Sequence, residues 1–170
     1  MANKIVKANK TKIGGVNDKV YTPETIAKQL INLLPIKDTD RVLEPCMGGG
    51  SFYNNLPGIK DWCEIDKGRD FFEYSTKVDW IVTNPPYSIF DQFVKHCFDI
   101  SDNVCLLVPL SKIVSSLGRI KQYKEYGGIN KMWILSGAVV GSLLGFRVVL
   151  CGFKRERRTP PYRLNYYEII

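Results

Sequence analysis

The chain has 170 residues, 45% hydrophobic and 24% charged, the balance of one ordinary globular domain with short arms. That length buries a core without staples, and no apolar run nears the roughly 20 residues of a membrane helix, so collagen-like, disordered, disulfide-scaffold and membrane-spanning classes drop out. Lysine plus arginine is 24 against 17 acidic residues, a net charge of +7, which favours polyanionic partners such as nucleic acid and also fits a basic, merely solvated surface.

The lysine-bearing N-terminus has no apolar stretch behind it, so no secretory signal is expected. Cys46, Cys63, Cys97, Cys105 and Cys151 are odd in number and irregularly spaced, with no CxxC. They read as reduced core residues of a cytoplasmic protein. His96 is the only histidine, which argues against a zinc site.

Residues 1–18 read as a basic flexible arm, 19–154 as one domain and 155–170 as a basic tail. Thr22 is the predicted N-cap of a helix with Pro23 at its first position, carrying Ile26, Ala27, Leu30, Leu33 and Leu34 and ending at Pro35. A strand is predicted at Arg41–Glu44, then a glycine turn at Pro45–Gly50, then a turn or two of helix at Ser51–Leu56. Further strands are predicted at Trp62–Ile65, Val78–Thr83, Asn103–Leu110, Ile129–Leu135 and Phe146–Lys154. Helical stretches fall at Ile89–Ile100 and Lys112–Tyr126. Asn165–Ile170 adds a strand or docks on the body. Strands apolar on both faces, alternating with helices, give a mostly parallel sheet covered on both sides. The short Ser136–Gly145 link makes the last two strands an antiparallel hairpin at the sheet edge.

Three features carry chemistry. Glu44-Pro-Cys-Met-Gly-Gly-Gly-Ser-Phe52 follows the first strand, where glycines let backbone turn sharply and approach a ligand; a plain tight turn has the same composition. Glu64 ends the next strand, 16 positions after Gly48, near the spacing at which an acid meets ribose hydroxyls in doubly wound folds; a surface acid at a strand end is the alternative. Asn84-Pro-Pro-Tyr87 stops the Val78–Thr83 strand at its carboxyl end, where ligands bind in open α/β sheets. A rigid two-proline loop is the alternative there.

With these motifs in this order, the chain resembles the S-adenosylmethionine-dependent amino-methyltransferases, most closely the DNA adenine-N6 methyltransferases, over about Tyr21 to Phe153. The resemblance implies a Rossmann-like class I methyltransferase fold and S-adenosylmethionine as cofactor. It makes Glu44, Pro45, Gly48, Gly50 and Phe52 the cofactor loop, with Tyr21 and Thr22 holding the methionine end. Glu64 becomes the ribose ligand, Asp70 and Phe71 the pair bracketing the cofactor adenine, and Asn84, Pro85, Pro86 and Tyr87 the catalytic motif, Asn84 also lining the cofactor. Two departures stand out. Only Lys67-Gly-Arg69 separates the Glu64 strand from Asp70, so the helix usual there is shortened or gone. No large target-recognition domain follows the core, which leaves specificity to a partner subunit, a second copy or low selectivity.

The motif suits amine methylation. An exocyclic base amine is a poor nucleophile because its lone pair is delocalised into the ring. The Asn84 side-chain oxygen and the Pro85 carbonyl offer two acceptors for its hydrogens, which favours a pyramidal nitrogen. Proline adds no competing N–H donor, and Tyr87 offers a flat face for a base taken out of the duplex. DNA is the expected partner, gripped at its phosphates by Lys112, Arg119, Lys121, Lys124, Arg155, Arg157 and Arg158; each alone also reads as a solvated cation. Ser136–Phe146 reads as a loop over the target pocket or an ordinary hairpin connection. The rival readings are a methyltransferase of RNA bases or protein glutamine, and a non-catalytic DNA-binding subunit of a larger modification complex.

Overall fold

The computed structural model describes residues 22–135 and 148–155, and the backbone of 165–169. The expected arm, Tyr21, the Ser136–Phe146 loop, Arg157 and Arg158 lie outside the described residues. Seven strands form one sheet: β1 (Arg41–Glu44), β2 (Ile59–Trp62), β3 (Val78–Thr83), β4 (Ser101–Pro109), β5 (Ile129–Leu135), β6 (Val148–Lys154) and β7 (Asn165–Ile169). Their order is β2-β1-β3-β4-β6-β5-β7. β2, β1, β3 and β4 run parallel, while β6 is antiparallel to both β4 and β5. The hairpin expected at the edge therefore sits one strand in, because β7 pairs parallel with β5 outside it.

Period-two alternation along the strands builds two cores. Leu43, Ile81, Val104, Leu106 and Val108 face helices α2 (Phe90–Ile100), α3 (Leu110–Val114) and α4 (Leu117–Tyr126), where Phe93, Cys97, Phe98, Ile113 and Tyr123 are buried. Val42, Val82, Cys105, Leu107 and Leu150 face α1 (Glu24–Ile31), which buries Ala27, Leu30 and Ile31. Each buried large apolar side chain contributes about 1.5–3 kcal/mol. Phe98 stacks on Tyr126 at 3.9 Å between centroids, tying α2 to α4.

Several boundaries differ from expectation. Pro23, not Thr22, is the N-cap of α1, with no side-chain capping bond, and the helix stops at Ile31 rather than Pro35. Leu33 and Leu34 keep their apolar spacing in a turn beyond it, closed by N–H bonds to Leu30 and Ile31 carbonyls. β2 lies three residues earlier than expected, so Glu64 sits past its end. The Lys112–Tyr126 stretch is two helices, broken where the Ser116 side chain caps α4 by accepting from Arg119 N–H. Between β2 and β3 the chain makes only two 3-10 turns, Ile65–Lys67 and Phe71–Glu73, so the helix expected to be shortened or gone is indeed replaced. Among the described residues no helix is long and apolar enough to cross a membrane.

Candidate active site

β1 ends at Glu44, 2% exposed. Beyond it the β1–β2 ladder continues through Cys63 N–H to the Glu44 carbonyl (2.9 Å) and Met47 N–H to the Cys63 carbonyl (3.0 Å). The loop then turns on Gly48 (φ 49°) and Gly50 (φ 87°), left-handed conformations that disfavour a side chain. Gly50 N–H closes the turn on the Met47 carbonyl at 2.7 Å. Phe52, expected to touch cofactor, is buried in the core under α1.

Glu64 holds this loop. Its Oε2 accepts Gly48 N–H at 2.6 Å, and Oε1 accepts Asp66 N–H at 3.4 Å. Glu64 and Arg69 exchange both backbone bonds, at 3.0 and 3.1 Å, so the chain doubles back through Gly68 (φ 76°) and delivers Asp70. The Asp70 carboxylate accepts Phe72 N–H at 2.9 Å. Phe71 is buried, its ring 4.7 Å from those of Phe93 and His96.

Glu44 carries an unusual burden. Burial, with a smaller push from the Glu64 carboxylate and an opposing Tyr53 N–H, raises its pKa to about 8. One of its oxygens, Oε2, is buried with no hydrogen-bond partner. Burial followed by repulsion from Glu64 and Glu44 likewise pushes the Cys46 thiol up.

Asn84 is the first residue past β3. Its Nδ2 donates to Thr22 Oγ1 at 3.4 Å, and its Oδ1 accepts from the Tyr87 hydroxyl at 3.1 Å. The amide is thereby oriented, nitrogen toward the segment before α1 and oxygen toward Tyr87. Pro85 is buried and Pro86 leads into a 3-10 turn, Tyr87–Ile89, that opens α2. Lys112 Nζ donates to the Tyr87 carbonyl at 3.1 Å, bracing the turn from α3.

Thr22 is thus a positioning residue for Asn84, a contact across 62 positions of sequence. On the amine-methylation expectation set by the sequence motifs, Thr22→Val should lower transfer about tenfold, mainly in kcat, with Thr22→Ser restoring it. Equal losses in the valine and serine variants would remove the hydroxyl from this role.

Thr22, Glu44, Pro45, Gly48, Gly50, Glu64 and Asn84–Tyr87 therefore gather at the carboxyl ends of β1, β2 and β3. Phe52 and Phe71 lie in the cores beneath. Sequence reasoning misses the Thr22–Asn84 bond and the brace from Lys112, a residue expected to meet phosphate. Two other expected phosphate contacts are internal pairs. Arg119 pairs with Asp91, donates to the Lys112 carbonyl at 3.0 Å, and holds the Asp91 carboxyl below its usual range. Arg155 pairs with Asp102 at 2.7 Å and lies over the Tyr126 ring.

No protein-family model matches the chain, and no curated protein matches it. Solved structures do. A candidate class I S-adenosylmethionine-dependent methyltransferase from Listeria monocytogenes matches with a TM-score of 0.74 at 13% identity, over 92% of this chain and 68% of that one. A candidate RNA methyltransferase from Pyrococcus horikoshii matches at 0.66 and 20% identity, over 85% and 90%. The modification subunit of a candidate type I restriction enzyme from Vibrio vulnificus matches at 0.62 and 16%, over 92% of this chain but 48% of that one. What these matches share with the chain is architecture, and on that ground it has the Rossmann-like fold of the class I S-adenosylmethionine-dependent methyltransferases.

Proposed function

We propose that the protein transfers a methyl group from S-adenosylmethionine to the N6 amino group of adenine in DNA. The observation that carries this reading is the meeting of two motifs. The glycine loop held by Glu64 and the oriented Asn84 amide lie at the ends of neighbouring parallel strands, β1 and β3.

The residues fit the cofactor. A buried carboxyl with an unpartnered oxygen, Glu44, suits a ligand bearing positive charge. The left-handed Gly48 and Gly50 leave backbone open to close approach. Glu64 retains acceptor capacity beyond its bond to Gly48, as ribose hydroxyls require. When bound, S-adenosylmethionine supplies an electrophilic methyl on a sulfonium. The chain does the rest by positioning. Asn84 Oδ1, which also accepts from Tyr87, and the Pro85 carbonyl are the acceptors assigned to the two amine hydrogens. The Tyr87 ring stacks the base, worth about 1–3 kcal/mol. No strong base is needed, because an alkylated amine nitrogen is acidic and loses its proton to water.

The net charge of +7 and the likeness to a restriction-enzyme modification subunit favour DNA. The chain spans about half the length of that subunit, and a partner subunit or second copy is assigned a part in recognition. A second reading, an RNA base, is favoured by the near-equal length of the Pyrococcus horikoshii match. Incubation with labelled cofactor and unmethylated DNA or RNA, followed by nucleoside analysis, decides between them. N6-methyladenine in DNA is the expected product; label in cytosine, in RNA alone or in protein alone overturns the adenine-in-DNA reading.

A further inference from the structure

Helix α4 has two faces of different character. Its inner face anchors it. Arg119 pairs with Asp91 and lies over the Phe90 ring, Tyr123 is buried, and Tyr126 donates to the Ser101 carbonyl at 3.0 Å. Its outer face runs Leu117, Ile120, Lys121 and Lys124, spaced so that successive turns align. All four are exposed, Leu117 at 86% and Ile120 at 47%. Val114, at the end of α3, is 55% exposed beside them. The outer face thus reads apolar at its start and basic along its shaft, with the exposed Glu125 as its one acid, in the last turn.

The apolar end lies at the rim of the site. α3 starts directly after β4, Lys112 braces the Tyr87 carbonyl, and Arg119 ties the first turn of α4 to the first turn of α2, which opens just past the Asn84–Tyr87 motif. The far end of α4 reaches the opposite end of the sheet, at Ser101. None of the exposed side chains is needed to hold the helix, and Ser116 caps it rigidly. An 86% exposed leucine at this point is otherwise a cost in water.

We propose that Leu117, backed by Ile120, is the wedge that enters the stack of duplex DNA when the target adenine leaves it, while Lys121 and Lys124 meet the flanking phosphates. The inference rests on the base-methylation reading above. Extrusion of a base leaves a gap whose unstacking costs a few kcal/mol. An apolar side chain carried on a fixed helix fills that gap and is itself removed from water. Lysines one and two turns along the same face match the charge of the backbone on either side.

The test compares the full chain and Leu117→Ala on two duplexes, one with the target adenine paired and one with it opposite an abasic site. Leu117 is exposed, so the variant is expected to melt with the wild type. Transfer to the paired duplex should fall about tenfold or more. The loss should shrink to about twofold on the abasic-opposed duplex, where the adenine leaves without breaking a base pair. With 2-aminopurine at the target, the fluorescence rise on binding should be lost in parallel. Lys121→Ala with Lys124→Ala should weaken both duplexes equally and reduce the salt dependence. Ile59→Ala, equally apolar and 64% exposed on the distant edge strand β2, serves as the control without effect.

Full activity of Leu117→Ala on the paired duplex overturns the wedge and leaves the base-methylation reading intact. So does an equal loss on both duplexes. A dimer that dissociates in Leu117→Ala assigns the face to a second copy and also overturns the wedge. If the wild type labels no DNA, the parent reading and the wedge fall together.

Discussion

Asn84→Ala is expected to lower methyl transfer at least about a hundredfold while leaving cofactor affinity within about twofold. On the proposed base-methylation reading, the alanine removes the side-chain acceptor for the base amine but not Glu44, Glu64 or the glycine loop. It also removes the Asn84 donor to Thr22 Oγ1 and the Asn84 acceptor of the Tyr87 hydroxyl. Both are near the surface of the site, so water replaces Asn84 and the fold is kept. Single-turnover transfer and calorimetric cofactor binding check the two halves separately. Wild-type transfer in this variant would take Asn84 out of the chemistry; loss of cofactor binding would make it a cofactor ligand first.

Glu44→Gln should do the opposite to stability and to binding. The folded-state pKa of Glu44 is raised to about 8 from 4.5, so between those values the folded chain holds a proton that the unfolded chain has lost. Stability therefore falls as pH rises through this window, by about 3 kcal/mol between pH 4.5 and 7. Glutamine cannot ionise, so the variant should melt higher than the wild type at pH 7.5 and lose this slope. A positively charged cofactor needs the carboxylate, so wild-type affinity should rise with pH and level off near 8. Glutamine should bind about ten- to a hundredfold more weakly. Calorimetry in buffers of different ionisation enthalpy adds a direct reading, because wild-type binding below pH 8 releases a proton and the variant's does not. Equal cofactor affinity in the two proteins would leave Glu44 a purely structural acid.

The parts legible in the sequence were those written as burial. β1, β3 and β5 begin and end where expected because each holds adjacent buried apolar residues (Val42-Leu43, Ile81-Val82, Met132-Trp133) and is closed by a polar or proline break. β2 was misplaced because Ile59-Lys-Asp-Trp62 has no buried position; its strand character comes from bonding to β1, which leaves no trace in composition. The break between α3 and α4 had a signal in Ser115-Ser116, obscured by basic residues of good helix propensity on both sides. In the site, the distance from Gly48 to Glu64 was legible as ligand spacing, whereas its first use is to hold Gly48 N–H. Arg119 and Arg155 looked like phosphate ligands because a charge in a sequence does not disclose its partner. Asp91 and Asp102 lie 28 and 53 positions away.

The central strand has a consequence for how the molecule opens. From Val104 to Val108 every β4 residue is 3% exposed or less, alternate side chains belong to different cores, β6 pairs along the whole stretch and β3 along it to Leu106. Fraying from either rim does not reach it. Deuterium should enter those amides only when both halves come apart at once, so the exchange lifetimes of one short segment weigh the cohesion of the whole domain.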